Sequence, residues 1–345
     1  MKAMVLTGIQ KMEMQELPTP TIKESTDVLI KMKVVGVCGS DVHYYTNGKI
    51  GSQLVKYPFP VGHEGAGEVI QVGTGVTHVK PGDRIAIEPA MPCGECDQCQ
   101  VGRPHTCRKL HFLGCPNQAD GCLTEYIVMP EGSCFPIPDS MTYTEAAISE
   151  PLAIGLYAVN QSIPLKDATV GILGFGPIGM SVLLSAQAKG ATRIFVTDLV
   201  DERLQVAEEC GAIWTGNPLK ADVVGDVKAK EPLLLDVVFE CCGKQEAIDQ
   251  AVAMLKPGGK LMVIGIPEFD RWSFPVDQMR HKEICVQNVR RQNHSLEETL
   301  ELMESGKIKV GKMATHRFPF SKTKEAFDLV TEYRDGVMKA MVDFE

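Results

Sequence analysis

Apolar and polar positions follow two different rhythms along this chain, and the change falls near residue 150. From Met1 to about Ser149 the apolar residues come in short runs cut by Gly and Pro, with no long helical periodicity. Val28-Leu29-Ile30-Lys31-Met32-Lys33-Val34 is rich in strand-favouring residues and partly alternates, and Lys80-Pro81-Gly82-Asp83 marks a turn before the strand-like stretch Arg84 to Glu88. A small irregular β-barrel or sandwich is predicted here. From about Glu150 strands alternate with helices, which predicts a doubly wound parallel sheet in an α/β fold. The spacing predicts a fully buried strand over Ala168 to Leu173, a helix over Pro177 to Lys189, a strand over Arg193 to Thr197 and a helix over Glu202 to Glu209. Then come the apolar run Leu233 to Phe239, a helix over Gln245 to Leu255, a turn at Lys256-Pro257-Gly258-Gly259, and strands over Lys260 to Ile264 and Ile284 to Val289.

Near Arg291 this alternation stops. Ser295-Leu296-Glu297-Glu298 reads as a capping box that opens a helix with Leu296, Leu300 and Met303 on one face, and the tail closes with a strand over Lys339 to Phe344. No internal repeat or low-complexity linker separates the parts, so two domains sharing a tight interface and a cleft are expected. The length of 345 residues suits that count, at about 100 to 200 residues per domain.

Charge narrows the partners. The net charge is -9, spread without a basic stripe, which argues against nucleic acid or an anionic membrane and favours a small neutral substrate. No apolar run reaches the roughly 18 residues of a membrane span, and Met1 to Glu16 lacks the pattern of a secretory signal. A cytoplasmic protein is expected. Twelve cysteines in that setting point to metal or catalysis for some of them. Seven of them, Cys115, Cys122, Cys134, Cys210, Cys241, Cys242 and Cys285, lie in mainly apolar stretches and are expected to be buried free thiols.

Gly174-Phe175-Gly176-Pro177-Ile178-Gly179 follows a predicted strand and opens a predicted helix, the context that makes a Gly-x-Gly-x-x-Gly motif a dinucleotide fingerprint. The first glycine allows the tight turn, the second the approach of a pyrophosphate and the third close helix packing, with amides at the helix start holding the anion. Asp198 lies 19 residues beyond Gly179, where a carboxylate receives the adenosine ribose hydroxyls. Its charge repels a 2′-phosphate and Leu199 brings no compensating cation, so NAD is expected over NADP. Arg203, five residues on, is placed along the adenine side.

Two sets of residues suit zinc. Cys38-Gly39-Ser40-Asp41-Val42-His43 and Gly62-His63-Glu64 offer a thiol, an imidazole and a carboxylate, and a site with three protein ligands keeps a fourth corner for water or a substrate oxygen. Cys93-x2-Cys96-x2-Cys99-x7-Cys107 offers four thiolates in a loop, as in a closed structural site. Its last cysteine comes too late for the common bacterial iron-sulfur spacing.

The order of these features resembles the zinc-dependent medium-chain dehydrogenases, and finer motifs resemble their polyol branch, the sorbitol and xylitol dehydrogenases. Carrying it are Cys38-Gly39-Ser40-Asp41-Val42-His43-Tyr44, Gly48-Lys49-Ile50-Gly51, Gly62-His63-Glu64, Lys80-Pro81-Gly82-Asp83, Glu150-Pro151-Leu152, Gly176-Pro177-Ile178-Gly179 and Thr315-His316-Arg317-Phe318-Pro319. The resemblance implies a GroES-like catalytic domain over residues 1–149, an NAD-binding Rossmann domain over 150–290 and a return to the catalytic domain over 291–345. It implies one catalytic zinc on Cys38 and His63, with Glu64 a ligand or alternating with water, and Glu150 a ligand or the holder of the metal's water. Ser40 and His43 take the proton-relay positions of the family, and Tyr44 and Arg291 its substrate contacts. Gln292 stands where animal sorbitol dehydrogenases commonly have a tyrosine, and the four-cysteine lobe is one those enzymes lack and many microbial relatives keep.

The activity implied is zinc- and NAD-dependent oxidation of a secondary hydroxyl of a sugar alcohol, such as sorbitol, xylitol or L-iditol, to the ketose. Another alcohol, such as threonine, a sugar-alcohol phosphate or a simple alcohol, is the alternative within the fold. A non-catalytic NAD- and zinc-binding protein is the alternative outside it. Relatives are commonly tetramers, so a homo-oligomer is expected, a tetramer ahead of a dimer, with strands such as Lys260 to Ile264 offering an edge for pairing.

Overall fold

The computed structural model describes residues 1–345, which divide into two compact units. The first comprises Met1–Glu150, Leu296–Glu304 and Met313–Glu345, and the second Pro151–Ser295 and Ser305–Lys312.

The first unit is built on the strand Asp27–Gly36, whose buried residues Val28, Ile30, Met32 and Val34 alternate with half-buried ones as a pleat requires. Around it runs a seven-stranded sheet in the order Cys134–Pro136, Arg84–Ile87, Glu64–Val72, Asp27–Gly36, Lys339–Asp343, Ala314–Pro319, with Tyr126–Pro130 also pairing with Asp27–Gly36. All pairs are antiparallel except Ala314–Pro319 with Lys339–Asp343. Leu6, Ile30, Met32, Ile85, Ile87, Leu123 and Met129 fill the interior. Burying each such side chain contributes roughly 1.5–3 kcal/mol before entropy is counted.

Two helices that begin in this unit do not follow from hydrophobic periodicity. Gly39–Asn47 has no long apolar stripe; its N-cap is Cys38, and it stops at Gly48, which takes φ +66° and donates its N–H to the Tyr44 carbonyl. Tyr143–Asn160 opens with a capping box, in which Thr142 N–H donates to Glu145 Oε2 at 2.8 Å and Glu145 N–H donates to Thr142 Oγ1 at 3.2 Å. That helix continues through Pro151 and so crosses the predicted boundary at residue 150.

The second unit is a six-stranded, all-parallel sheet in the order Trp214–Gly216, Arg193–Thr197, Thr169–Leu173, Leu235–Glu240, Leu255–Val263, Cys285–Asn288. The order reverses between Thr169–Leu173 and Leu235–Glu240, the topological switch point where such sheets bind ligands beyond their strand ends. Helices Pro177–Ala188, Asp201–Glu209 and Gln245–Met254 form within a few residues of the predicted spans. Two expectations fail. Lys260–Ile264 is not an edge, because the strand Leu255–Val263 is paired on both sides and Cys285–Asn288 lies outside it. The seven remaining thiols are not uniformly buried: Cys115, Cys122 and Cys134 are, whereas Cys285 opens the outer strand and Cys242 lies in the loop after Leu235–Glu240, and both are exposed.

Candidate metal and nucleotide sites

Local folding brings Cys38, His63 and Glu64 together. Cys38 stands at the mouth of the helix Gly39–Asn47, and His63 immediately precedes the strand that Glu64 begins. Potential ligand atoms of the three lie within 4.8 Å of one another. Glu64 pairs across the sheet with Gly36, and a Cβ on Gly36 would sit 2.4 Å from Glu64 Oε2, so the glycine makes room for the carboxylate. A sulfur, a nitrogen and an oxygen converging in a buried pocket suit zinc.

Two residues that pattern reading passes over hold this cluster. Asp41, fully buried, places Oδ1 3.3 Å from His63 Nδ1 and accepts a 3.3 Å hydrogen bond from Gly62 N–H. A carboxylate on one imidazole nitrogen fixes the ring and leaves Nε2 for a metal. Burial draws the His63 pKa down, but the Asp41 and Cys38 charges beside it outweigh burial and hold it well above 6.5. Lys339, 1% exposed, pairs with Glu64 Oε2 and donates to the Val37 carbonyl at 3.3 Å. The signal for Asp41 was its place inside the Cys-Gly-Ser-Asp motif; for Lys339 it was a lone cation opening an apolar strand.

Glu150 lies on the helix Tyr143–Asn160, outside the tight three-residue cluster. Its Oε2 is buried without a protein partner. Burial pushes its pKa up to about 8, with Glu64 and Glu88 adding to the rise and His63 opposing it. Such a carboxyl suits a bound water, a cation or a polar ligand. Ser40 Oγ donates to Cys38 Sγ at 3.3 Å, and His43, three residues on, is half-buried. Tyr44 is buried, with its hydroxyl 3.1 Å from Gln53 Oε1 and 3.7 Å from Cys115 Sγ. Arg291 is half-buried at φ +54° in the second unit, and Gln292 Oε1 accepts from Ser295 N–H at 2.7 Å.

Cys93, Cys96, Cys99 and Cys107 also converge within 4.8 Å. The sulfurs of Cys93 and Cys107, Cys96 and Cys99, and Cys96 and Cys107 are 3.4, 3.6 and 3.8 Å apart. A tetrahedron of about 2.3 Å zinc–sulfur bonds has edges of about 3.8 Å, so the cage fits that ion. Backbone amides of Arg108 and Cys99 lower Cys96 to about 6, while desolvation and neighbouring thiols raise Cys99 to about 12.

In the second unit the fingerprint turn sits at the switch point. Gly174 takes φ +91° and donates to the Thr197 carbonyl at 2.8 Å; a Cβ there would come 2.7 Å from Cys242 Cβ. A Cβ on Gly179 would meet the Gly174 carbonyl oxygen at 2.0 Å, so helix and turn touch only through glycine. Gly176 is the N-cap and Pro177 the first residue of the helix, whose early amides face the position of a pyrophosphate. Asp198, expected to receive the ribose hydroxyls, also accepts from Phe175 N–H at 2.5 Å and Val200 N–H at 2.8 Å and so braces the fingerprint turn. Arg203 is 7% exposed and sets Nη1 3.5 Å from a Cβ built on Gly176, against the fingerprint turn.

Comparison with known proteins agrees with this geometry. The alcohol dehydrogenase GroES-like domain matches residues 24–139, and the zinc-binding dehydrogenase family matches residues 177–305. A sorbitol dehydrogenase of Bacillus subtilis is 36% identical over 99% of this chain and 97% of its own. A crystal structure of an Escherichia coli oxidoreductase of unknown specificity superposes with a TM-score of 0.94 at 31% identity, covering 100% of this chain and 99% of that one. The L-idonate 5-dehydrogenase of Escherichia coli gives 0.91 at 27% identity, with coverage of 99% and 98%. With both domains matched and both cysteine-bearing sites assembled, the chain belongs to the zinc-dependent medium-chain dehydrogenases, in the branch that holds the sorbitol dehydrogenases.

Proposed function

We propose that this enzyme oxidises a secondary hydroxyl of a neutral sugar alcohol to the ketose with NAD, sorbitol, xylitol and L-iditol being the leading substrates. The observation that carries this reading is the buried convergence of Cys38, His63 and Glu64 beside Glu150, whose Oε2 has no protein partner. One thiolate and one or two carboxylates make a more polar site than two thiolates, and that suits a polyhydroxy chain.

Cys38, His63 and Glu64 would hold zinc, which supplies the Lewis acidity that makes a secondary hydroxyl easier to deprotonate. NAD, held at the turn Gly174 to Gly179, supplies the hydride acceptor. Asp41 fixes the His63 ring and Lys339 fixes Glu64, so the donor set is organised before substrate arrives. Ser40, anchored on Cys38, takes the substrate's hydroxyl proton and passes it to His43 on the same helical face, from which it reaches solvent. Glu150, whose Oε2 has no protein partner, offers a second place for that proton. Tyr44 and Arg291 meet the remaining substrate hydroxyls. Asp198 receives the ribose hydroxyls on oxygens already aligned by Phe175 and Val200, and its charge favours NAD over NADP.

No helix of the protein is long and apolar enough to cross a membrane. The proposed assembly is a homo-oligomer, for which the outer strand Cys285–Asn288 and the exposed Val276 beside it offer an open sheet edge. Sedimentation of the protein and of a Val286→Pro variant tests that edge. A panel of four- to six-carbon polyols, sugar acids and sugar phosphates, followed by NADH absorbance with zinc-replete protein, tests the activity. Turnover of a neutral polyol supports the proposal, and turnover only of charged substrates overturns it.

A further inference from the structure

We infer that Glu240 is a positioning residue for the nicotinamide half of the cofactor: its buried carboxyl fixes the loop over residues 241–243 so that this loop presents backbone carbonyls, not amides, to that half. The inference rests on the dinucleotide site described above and is independent of which alcohol is oxidised.

The order of the strands places Glu240. Asp198 follows the strand Arg193–Thr197 on one side of the switch point, where the adenosine half belongs, and Glu240 ends the strand Leu235–Glu240 on the other. The loop after Glu240 touches the fingerprint turn. Cys241 N–H donates to the Leu173 carbonyl at 2.8 Å, and a Cβ on Gly174 would lie 2.7 Å from Cys242 Cβ. This loop therefore walls the path of the dinucleotide on the far side of the pyrophosphate.

Glu240 is 0% exposed, yet its Oε2 has no protein partner. Burying a carboxyl oxygen without a donor costs stability, so packing alone does not favour this residue. Its Oε1 accepts from Cys242 N–H at 2.8 Å and Gly243 N–H at 2.5 Å, and its backbone carbonyl accepts from Ile264 N–H at 2.9 Å and Gly265 N–H at 3.1 Å. One residue thus ties together the loops after two neighbouring strands. Two glycines make room for it. A Cβ on Gly265 would fall 2.6 Å from Glu240 Oε2, and one on Gly243, at φ +69°, would fall 2.5 Å from the Ile266 carbonyl oxygen. The peptides are trans, so the carbonyls of Cys241 and Cys242 point opposite to the amides that Glu240 holds. A pyrophosphate needs donors, which the helix start after Gly176 supplies. Ribose hydroxyls and a carboxamide N–H need acceptors, and the carbonyls of this loop are acceptors.

The test titrates NADH and ADP, which stops at the pyrophosphate, onto wild type, Glu240→Gln, Glu240→Met and Gly265→Ala by calorimetry, with no alcohol present. Glu240→Met and Gly265→Ala are expected to weaken NADH about tenfold and to leave ADP within twofold. Glu240→Gln, whose remaining carbonyl oxygen can accept from both amides, is expected to hold NADH within about threefold of wild type. Gly265→Ala keeps the carboxyl and disturbs only its seat, so it carries the test if Glu240→Met does not fold. Equal losses for NADH and ADP, unchanged NADH affinity in Gly265→Ala, or a Glu240→Gln protein as weak as Glu240→Met would overturn the inference while leaving the cofactor site standing. A wild type that binds no NADH overturns both, and neither result bears on the choice of polyol.

Discussion

The nucleotide site and the open metal site are built in opposite ways. Gly174, Gly176, Gly179, Asp198 and Arg203 fall within one continuous strand–helix–strand–helix stretch, and the backbone does most of the shaping through positive φ, missing Cβ atoms and helix-start amides. Cys38, Asp41, His63, Glu64 and Lys339 come from three distant segments, and Asp41 with His63 and Lys339 with Glu64 are held by charge against charge in the interior. A site made of contiguous backbone tolerates the loss of one side chain. A site made of buried charges leaves each partner uncompensated when one is removed.

The largest expected effect follows from removing a metal ligand. Cys38→Ala should lower kcat/KM by at least about a thousandfold, since the Lewis-acid contribution is worth several kcal/mol. NAD binding, read by calorimetry, should stay within twofold, and the metal content should fall from two zinc ions per chain to one. Full turnover in Cys38→Ala would break the division of labour between the two sites.

Next in size is Lys339→Met. It strands Glu64 in the interior with a negative charge, at a cost of about 3–5 kcal/mol in metal-free protein. Adding Glu64→Gln to Lys339→Met should recover much of that loss in urea unfolding. A Lys339→Met protein as stable as wild type would show that the ion pair does not organise the cluster.

Asp198→Ala sharpens the contrast from the other side. Its loss removes two hydrogen bonds to the turn and the charge that opposes a 2′-phosphate, so preference for NAD over NADP should fall about tenfold while zinc content stays at wild type. Steady-state kinetics with both cofactors read the change, and unchanged discrimination would count against the role of Asp198.

The same contrast explains what the amino-acid sequence reveals. Motifs compact in the chain announce themselves: the fingerprint follows from strand, glycines and helix, and the lobe from cysteines confined to residues 93–107. Asp41 and Lys339 act across the fold, and no local spacing marks a carboxylate as the partner of His63 or a lysine at residue 339 as the partner of a glutamate at residue 64. The helix Gly39–Asn47 escaped for a related reason. Ser40 and Asp41 face Cys38 and His63, so the helix lacks the apolar stripe by which periodicity finds one. The outer strand was misplaced because both Lys260–Ile264 and Ile284–Val289 are apolar runs, and only tertiary pairing decides which is internal.

The smallest predicted effect lies at the opposite end of the parallel sheet from the nucleotide. Asp236 Oδ2 accepts from Thr169 N–H and Thr169 Oγ1, both at 2.7 Å, and its other oxygen pairs with Lys256, which ties two central strands at their starts. Burial raises its pKa, but Lys256 and the Thr169 bonds together outweigh burial and hold the carboxyl below its ordinary value. A depressed carboxylate stabilises the fold above the unfolded pKa of about 3.9, and that contribution fades as pH falls through the lower folded value. Asp236→Asn should therefore cost about 1 kcal/mol at pH 7, a modest sum because the Lys256 pair is partly solvated, and the difference from wild type should shrink below about pH 4. Kinetic constants for NAD should not move, since the change lies far along the strands from the switch point. A loss of stability independent of pH would mean that Asp236 acts by packing, and the contrast between a backbone-built unit and a charge-built cluster would then extend to the strand starts of the sheet.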